Sequence, residues 1–213
     1  MSFGYIGKDG HSQSWGSNSG VLSPSDVMDL SIENKLTTYG QLELIETQTA
    51  SSQLLNFQNL GDYDIHFMTC NEHTFPAGNQ DYGIRFWESG VLETASVYRY
   101  GSQEGGFSGN FYDNKSTGAN YIRLDNSGSE SLREHWYMYF YNLNKSSKYS
   151  YVTYHRIMNR WSSGGAYNDA GSYFEWGSGV LPQASLVDGI QVYNSSQTAS
   201  AGSISLYGIR GYS

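Results

Sequence analysis

Residues able to do chemistry are sparse in this chain, and few stand close together. The nearest approach to a metal or thiol site is Cys70-Asn71-Glu72-His73, which puts a thiol, a carboxylate and an imidazole within four positions. Structural zinc takes four ligands, commonly delivered as two spaced pairs. No C-x-x-C or H-x-x-x-H elsewhere supplies the second pair, and the five histidines (His11, His66, His73, His135, His155) are dispersed. The sequence therefore calls for no metal and no cofactor. A cysteine nucleophile needs a neighbouring base. His66 would share a strand face with Cys70 but lie roughly 13 Å away, from a rise of ~3.3 Å per residue. His73 is closer, yet no third group is placed to orient it, and neither a G-x-S-x-G elbow nor a phosphate-binding glycine loop occurs.

Glycoside cleavage would need two carboxylates facing one sugar. On a strand that means acids at alternate positions. Asp62 and Asp64 begin such a pattern, but His66 follows. Glu88, Glu93 and Glu175 stand singly near turn residues, where solvated acids are ordinary. Catalysis is not expected.

The densest chemical signal is aromatic. Residues 133–156, REHWYMYFYNLNKSSKYSYVTYHR, hold eight Phe, Tyr or Trp side chains in twenty-four positions. If this is a strand, a turn and a strand, alternation puts Trp136, Met138 and Phe140 on one face, and His135, Tyr137, Tyr139 and Tyr141 on the other. The first set suits a core. The second consists of rings with polar tips, and Tyr149, Tyr151, Thr153 and His155 repeat the style after the turn. Such a ladder can stabilise a sheet by cross-strand pairing, stack on sugars, or dock on a partner. The structural use carries the greater weight, because strands favour aromatics in any case.

The elements that must position these residues follow from composition and pattern. The chain has 213 residues, with 15% charged, 25 Gly, 19 Tyr, 3 Pro and a net charge of −8. The length suits one domain with at most an appendage. Twelve scattered Lys and Arg against twenty acids disfavour nucleic acid and anionic membranes as partners. No apolar run approaches the ~18 residues of a membrane span, the start lacks a signal-peptide pattern, and the single Cys70 allows no internal disulfide. Synthesis in a cytoplasm is expected.

Residues 1–38 read as an N-terminal arm carrying Phe3, Tyr5 and Trp15, followed by a short helix. Ser23 caps that helix, Pro24 stands at its first position, and Val27, Met28, Leu30, Ile32 and Leu36 supply its apolar side. From Tyr39 the pattern becomes about eleven short apolar runs separated by Gly, Asn, Asp and Ser, which predicts a β-domain over 39–213. Without intervening helices or a fixed repeat, the expected class is all-β: a two-sheet antiparallel sandwich of jelly-roll or lectin-like type. The glycine-rich stretches 101–118 and 162–171 read as exposed loops, and their aromatics Phe107, Tyr112 and Tyr167 as candidate sugar contacts.

Several segments taken in order carry a resemblance. They are MSFGYIG, SGVLSPSDVMDL, LELIETQT, YDIHF, IRFWESGVLETASVYRY, MYFYNLNKSSKYSYVTY, GVLPQASLVDGIQVY and GSISLYGIR. As a set the chain resembles a family of small structural proteins of tailed bacteriophages, particularly marine cyanophages. The resemblance implies a non-enzymatic virion component, either capsid decoration or cement, or a tail or fibre subunit. It further implies assembly with other virion proteins, as a homo-oligomer in the leading case, and no catalytic residues. On this view Phe3, Tyr5 and Trp15 anchor the arm, and Tyr137, Tyr139 and Tyr141 form a surface face. The alternative is a glycan-binding, receptor-recognition module of a tail fibre.

Overall fold

The computed structural model describes Met28 and residues 42–74, 80–106, 109–127, 134–159, 172–194, 198–199 and 201–209. Two compact units divide the chain, Met1–Tyr39 and Gly40–Ser213, and all strands belong to the second. The expected arm with Phe3, Tyr5 and Trp15, and the expected helix apart from Met28, lie outside the described residues. The all-β class stands without support for that helix, because every element formed by the described residues is a strand.

Thirteen strands form among the described residues. They are β1 (Leu42–Thr49), β2 (Leu54–Phe57), β3 (Ile65–Thr74), β4 (Gln80–Glu88), β5 (Val91–Leu92), β6 (Tyr98–Gly106) and β7 (Phe111–Ala119). There follow β8 (Ile122–Ser127), β9 (Glu134–Tyr141), β10 (Ser150–Asn159), β11 (Ser172–Leu181), β12 (Val187–Asn194) and β13 (Ala201–Ile209). Eight make one antiparallel sheet in the order β1-β13-β3-β9-β10-β11-β6-β7. The second sheet runs β2-β12-β4-β5, with β8 also on β4. Consecutive strands mostly change sheet, so each layer is threaded from distant parts of the chain.

The two inner faces meet in one core. Met68, Met138, Phe140, Val152 and Leu206 come from the large sheet, and Phe57, Ile84, Phe86, Ile190 and Val192 from the small one. Rings interlock across the gap: Phe86 meets Phe140 edge-on at 6.1 Å, and Tyr82 lies 6.2 Å from Trp136. Burial follows the pleat on β9, where Trp136, Met138 and Phe140 are buried and His135 and Tyr137 exposed. The antiparallel β-sandwich is the observed architecture.

One expectation needs correction. Residues 101–118 are not one loop: β6 and β7 pair as a hairpin at the sheet edge, from Gly105↔Phe111 to Tyr98↔Ala119. Glycine and polar residues hid these strands, since an edge strand needs only one buried side and few apolar contacts. The stretch 162–171 lies outside the described residues.

Candidate functional site

The outer face of the eight-stranded sheet carries the aromatic residues. Cross-strand register sets them in rows, and one row runs Thr69, Tyr137, His155, Trp176, Gln103, Asp113 across β3, β9, β10, β11, β6 and β7. The next holds Tyr207, Phe67, Tyr139, Thr153, Ser178, Gly101 and Lys115. Tyr137 and His155 stack at 5.1 Å with ring planes 9° apart, and Phe174 and Trp176 at 5.3 Å and 12°. Phe67 lies 4.7 Å from Tyr139 and 6.1 Å from Tyr207.

Tyr137 and Trp176 remain 40% and 39% exposed, and Ile157 63% exposed. These rings therefore do more than pad a ladder: they form a ridge open to solvent. A groove of about 510 Å³ lies to one side, lined by Phe67, Asn71, His135, Ile157, Phe174 and Trp176 among others. A second, of about 550 Å³, is lined by Gly101, Gln103, Asp113, Lys115, Thr153 and Ser178. His155 and Trp176 border both. Their sizes fall within the range of small-ligand sites, about 300–1,000 Å³. At the far end Phe111 and Phe174 meet edge-on at 6.2 Å over Gly105, where a Cβ would come within 2.5 Å of Phe174 and 2.9 Å of Phe111. The glycine lets two rings close over the strand between them.

On the inner side of the same strands sits a buried charge cluster. Arg156 is 1% exposed. Its Nη2 donates to Glu134 Oε1 at 2.8 Å and its Nη1 to Glu175 Oε2 at 3.3 Å. The Tyr154 hydroxyl donates to Glu175 Oε1 at 3.0 Å. Burial opposes the charge on Arg156, but the carboxylates of Glu134 and Glu175 more than offset this, and its pKa rises. Burial lifts the Glu134 carboxyl above its usual value, with Arg156 pulling the other way. The sequence alone did not reveal this cluster. From the sequence Glu175 reads as a solvated acid near turn residues, whereas here it is buried on the inner face and Phe174 and Trp176 lie on the outer one.

The other sequence candidates separate. A bulge between Cys70 and His73 turns both inward, while Glu72, at φ 55°, is exposed. Burial, then the nearby Glu134, pushes the Cys70 thiol up, and burial, then the charge of Arg156, lowers His73 to about 3. His66 is buried on the same face and donates from Nε2 to the Leu60 carbonyl at 2.8 Å. No group of three His, Cys, Asp or Glu able to hold a metal forms among the described residues. Asp62 and Asp64 precede β3 and so do not alternate along it. Glu88, the last residue of β4, and Glu93, the residue after β5, meet at the β4–β5 hairpin, where their carboxyls hydrogen-bond. Burial raises Glu88, while the Ala95 amide, 2.7 Å from Oε1, lowers Glu93.

Tyr139 and Tyr141 are half-buried on the outer face beside the exposed Tyr137. Of the loop aromatics, Tyr112 is exposed on β7, and Phe107 and Tyr167 lie outside the described residues. Scans of the chain against protein-family models, curated proteins and solved structures found no match.

Proposed function

We propose that this chain is a non-enzymatic bacteriophage virion component whose β-domain is a lectin-like glycan-recognition module of tail-fibre type. The observation that carries the recognition role is the open ridge of Tyr137, His155 and Trp176, with a groove on either side. A pyranose has an apolar C–H face and a rim of hydroxyls. An exposed ring matches the face, and the amides and hydroxyls of Asn71, Gln103, Thr153 and Ser178 match the rim. An uncovered apolar patch of this kind on a domain with few charges marks an interaction surface. The carboxylates of the strands below, Glu134 and Glu175, are engaged by Arg156 on the inner side, which favours binding over bond cleavage.

Membership in a virion rests on the resemblance of the ordered segments to the phage family and on a composition rich in hydroxyls and amides. A second reading, capsid decoration or cement held by protein–protein contacts, is favoured by Leu42 and Leu44, both exposed on edge strand β1. The two readings separate by copy number in purified particles, measured against the major capsid protein. A ratio near that of the capsid subunit favours decoration, and a far smaller one favours a fibre.

Glycan recognition is tested with the purified chain and immobilised host-surface polysaccharides. Trp176→Ala should weaken binding at least tenfold, about 1.4 kcal/mol, with an unchanged circular dichroism spectrum. Undiminished binding by that variant, or no binding to any polysaccharide, refutes the proposal.

A further inference from the structure

We infer that Gly101 is the floor of a sugar subsite, and that the ligand is an uncharged glycan segment of two or more units spanning both grooves. The inference rests on the glycan reading above. Glycine within a strand lowers stability and is found where a turn, a bulge or a close approach requires it. Gly105 meets such a requirement, because Phe111 and Phe174 close over it. Gly101 does not. Its φ is not in the left-handed region, and a Cβ built on it meets no atom within 4 Å. It pairs regularly with Ser178 on β11 and Lys115 on β7. The fold gains nothing from leaving this place empty. The groove does, because any side chain at 101 would project into the space between Thr153, Ser178 and Lys115.

The two grooves differ in chemistry. The one with Gly101 is the more polar of the two, bordered by Gln103, Asp113 and Thr153. The other has Ile157, Phe67 and Phe174 beside Asn71 and His135, and suits a unit with an apolar substituent such as a deoxy or N-acetyl methyl group. The groove centres are about two strand spacings apart, roughly 10 Å, so one ring cannot occupy both. Charge decides the ligand class. The chain carries a net −8, yet the exposed charged side chains lining these grooves are Asp113 and Lys115, one of each sign; Arg156 and Glu175 also line the first groove but are buried and paired with each other. The Asp113 carboxylate already accepts from Gln103 Nε2 at 3.2 Å. A polyanionic glycan would meet a single lysine on an acidic protein, whereas a neutral chain meets hydrogen-bonding groups without opposition.

The experiment compares the wild type with Gly101→Val and Ile157→Asn. The probes are neutral oligosaccharides of one to six units, with and without N-acetyl or deoxy groups, and a uronate polymer. Calorimetry gives affinity and a thermal melt gives Tm. Wild-type affinity should rise at least tenfold from one unit to three. Gly101→Val should raise Tm and remove that length dependence, and Ile157→Asn should remove the preference for N-acetyl or deoxy units. The inference is overturned if Gly101→Val binds like the wild type, if it lowers Tm, if single sugars bind as tightly as chains, or if the uronate polymer binds best. Each of these leaves glycan recognition itself in place. Binding of no glycan overturns both.

Discussion

Replacing Arg156 by Met gives the sharpest test of how the inner face is held. Methionine is close in volume and apolar, so the change leaves little cavity. It strands Glu134 and Glu175, whose side chains are 2% and 0% exposed, without their cation. Removing one partner of a buried ion pair costs about 3–5 kcal/mol. Protonation of Glu134 sets an upper bound on its share. Relative to a usual value of 4.5, keeping one carboxyl neutral at pH 7 costs about 3.4 kcal/mol, at 1.36 kcal/mol per unit. The sign follows from the direction of the shift. Burial already raises Glu134, and without Arg156 it rises further, so its ionised form opposes folding and the penalty shrinks as pH falls towards 4.5. Urea unfolding followed by tryptophan fluorescence should show a loss of about 3–5 kcal/mol at pH 7. At pH 5 the loss should be smaller by roughly 2–3 kcal/mol. Adding Glu134→Gln and Glu175→Gln should restore most of the stability. A loss under about 1 kcal/mol at pH 7, or a penalty equal at the two pH values, refutes the buried-pair account.

Two further outcomes follow from buried groups on β3. His73 is held neutral by burial, its pKa lowered from 6.5 to about 3, so the stability it contributes is complete above pH 6.5 and is lost as pH falls towards 3. His73→Gln should flatten the stability–pH curve between those limits, removing up to about 1.4 kcal/mol per pH unit of slope; parallel curves for the two proteins would contradict this. Cys70 is buried with its thiol pKa raised, so a thiol-specific reagent should label it only as fast as the domain unfolds. Rapid labelling of the native protein would show the strand to be open.

Much of this architecture was legible in the sequence because turn residues punctuate it. The apolar runs beginning near Leu42, Ile65, Trp136, Val152 and Ile190 all became strands, and alternation sorted β9 correctly into Trp136, Met138 and Phe140 inside and Tyr137 outside. What stayed hidden has two physical causes. Alternation fixes which residues share a face but not which face is buried, so Glu175 read as a solvated acid although its face is the inner one. Partners distant along the chain leave no local signal: Arg156 reaches Glu134 across 22 positions and Glu175 across 19. The ridge itself was half visible. Tyr137 and His155 stood out as ringed and polar-tipped, while Trp176 and Gly101 gained meaning only once β11 and β6 were laid beside β10.

The place of β13 in the large sheet bears on how the chain is made. It lies between β1 and β3, paired to both. Residues 42–49 and 65–74 therefore cannot be joined into one layer until residues 201–209 have emerged from the ribosome. Until then the aromatic strands of the middle have an unsatisfied edge at β3. Such non-local closure folds slowly and exposes strand edges while it waits. The sparing use of large aliphatic side chains, with hydroxyls and amides between the rings, keeps that unfinished sheet in solution during synthesis.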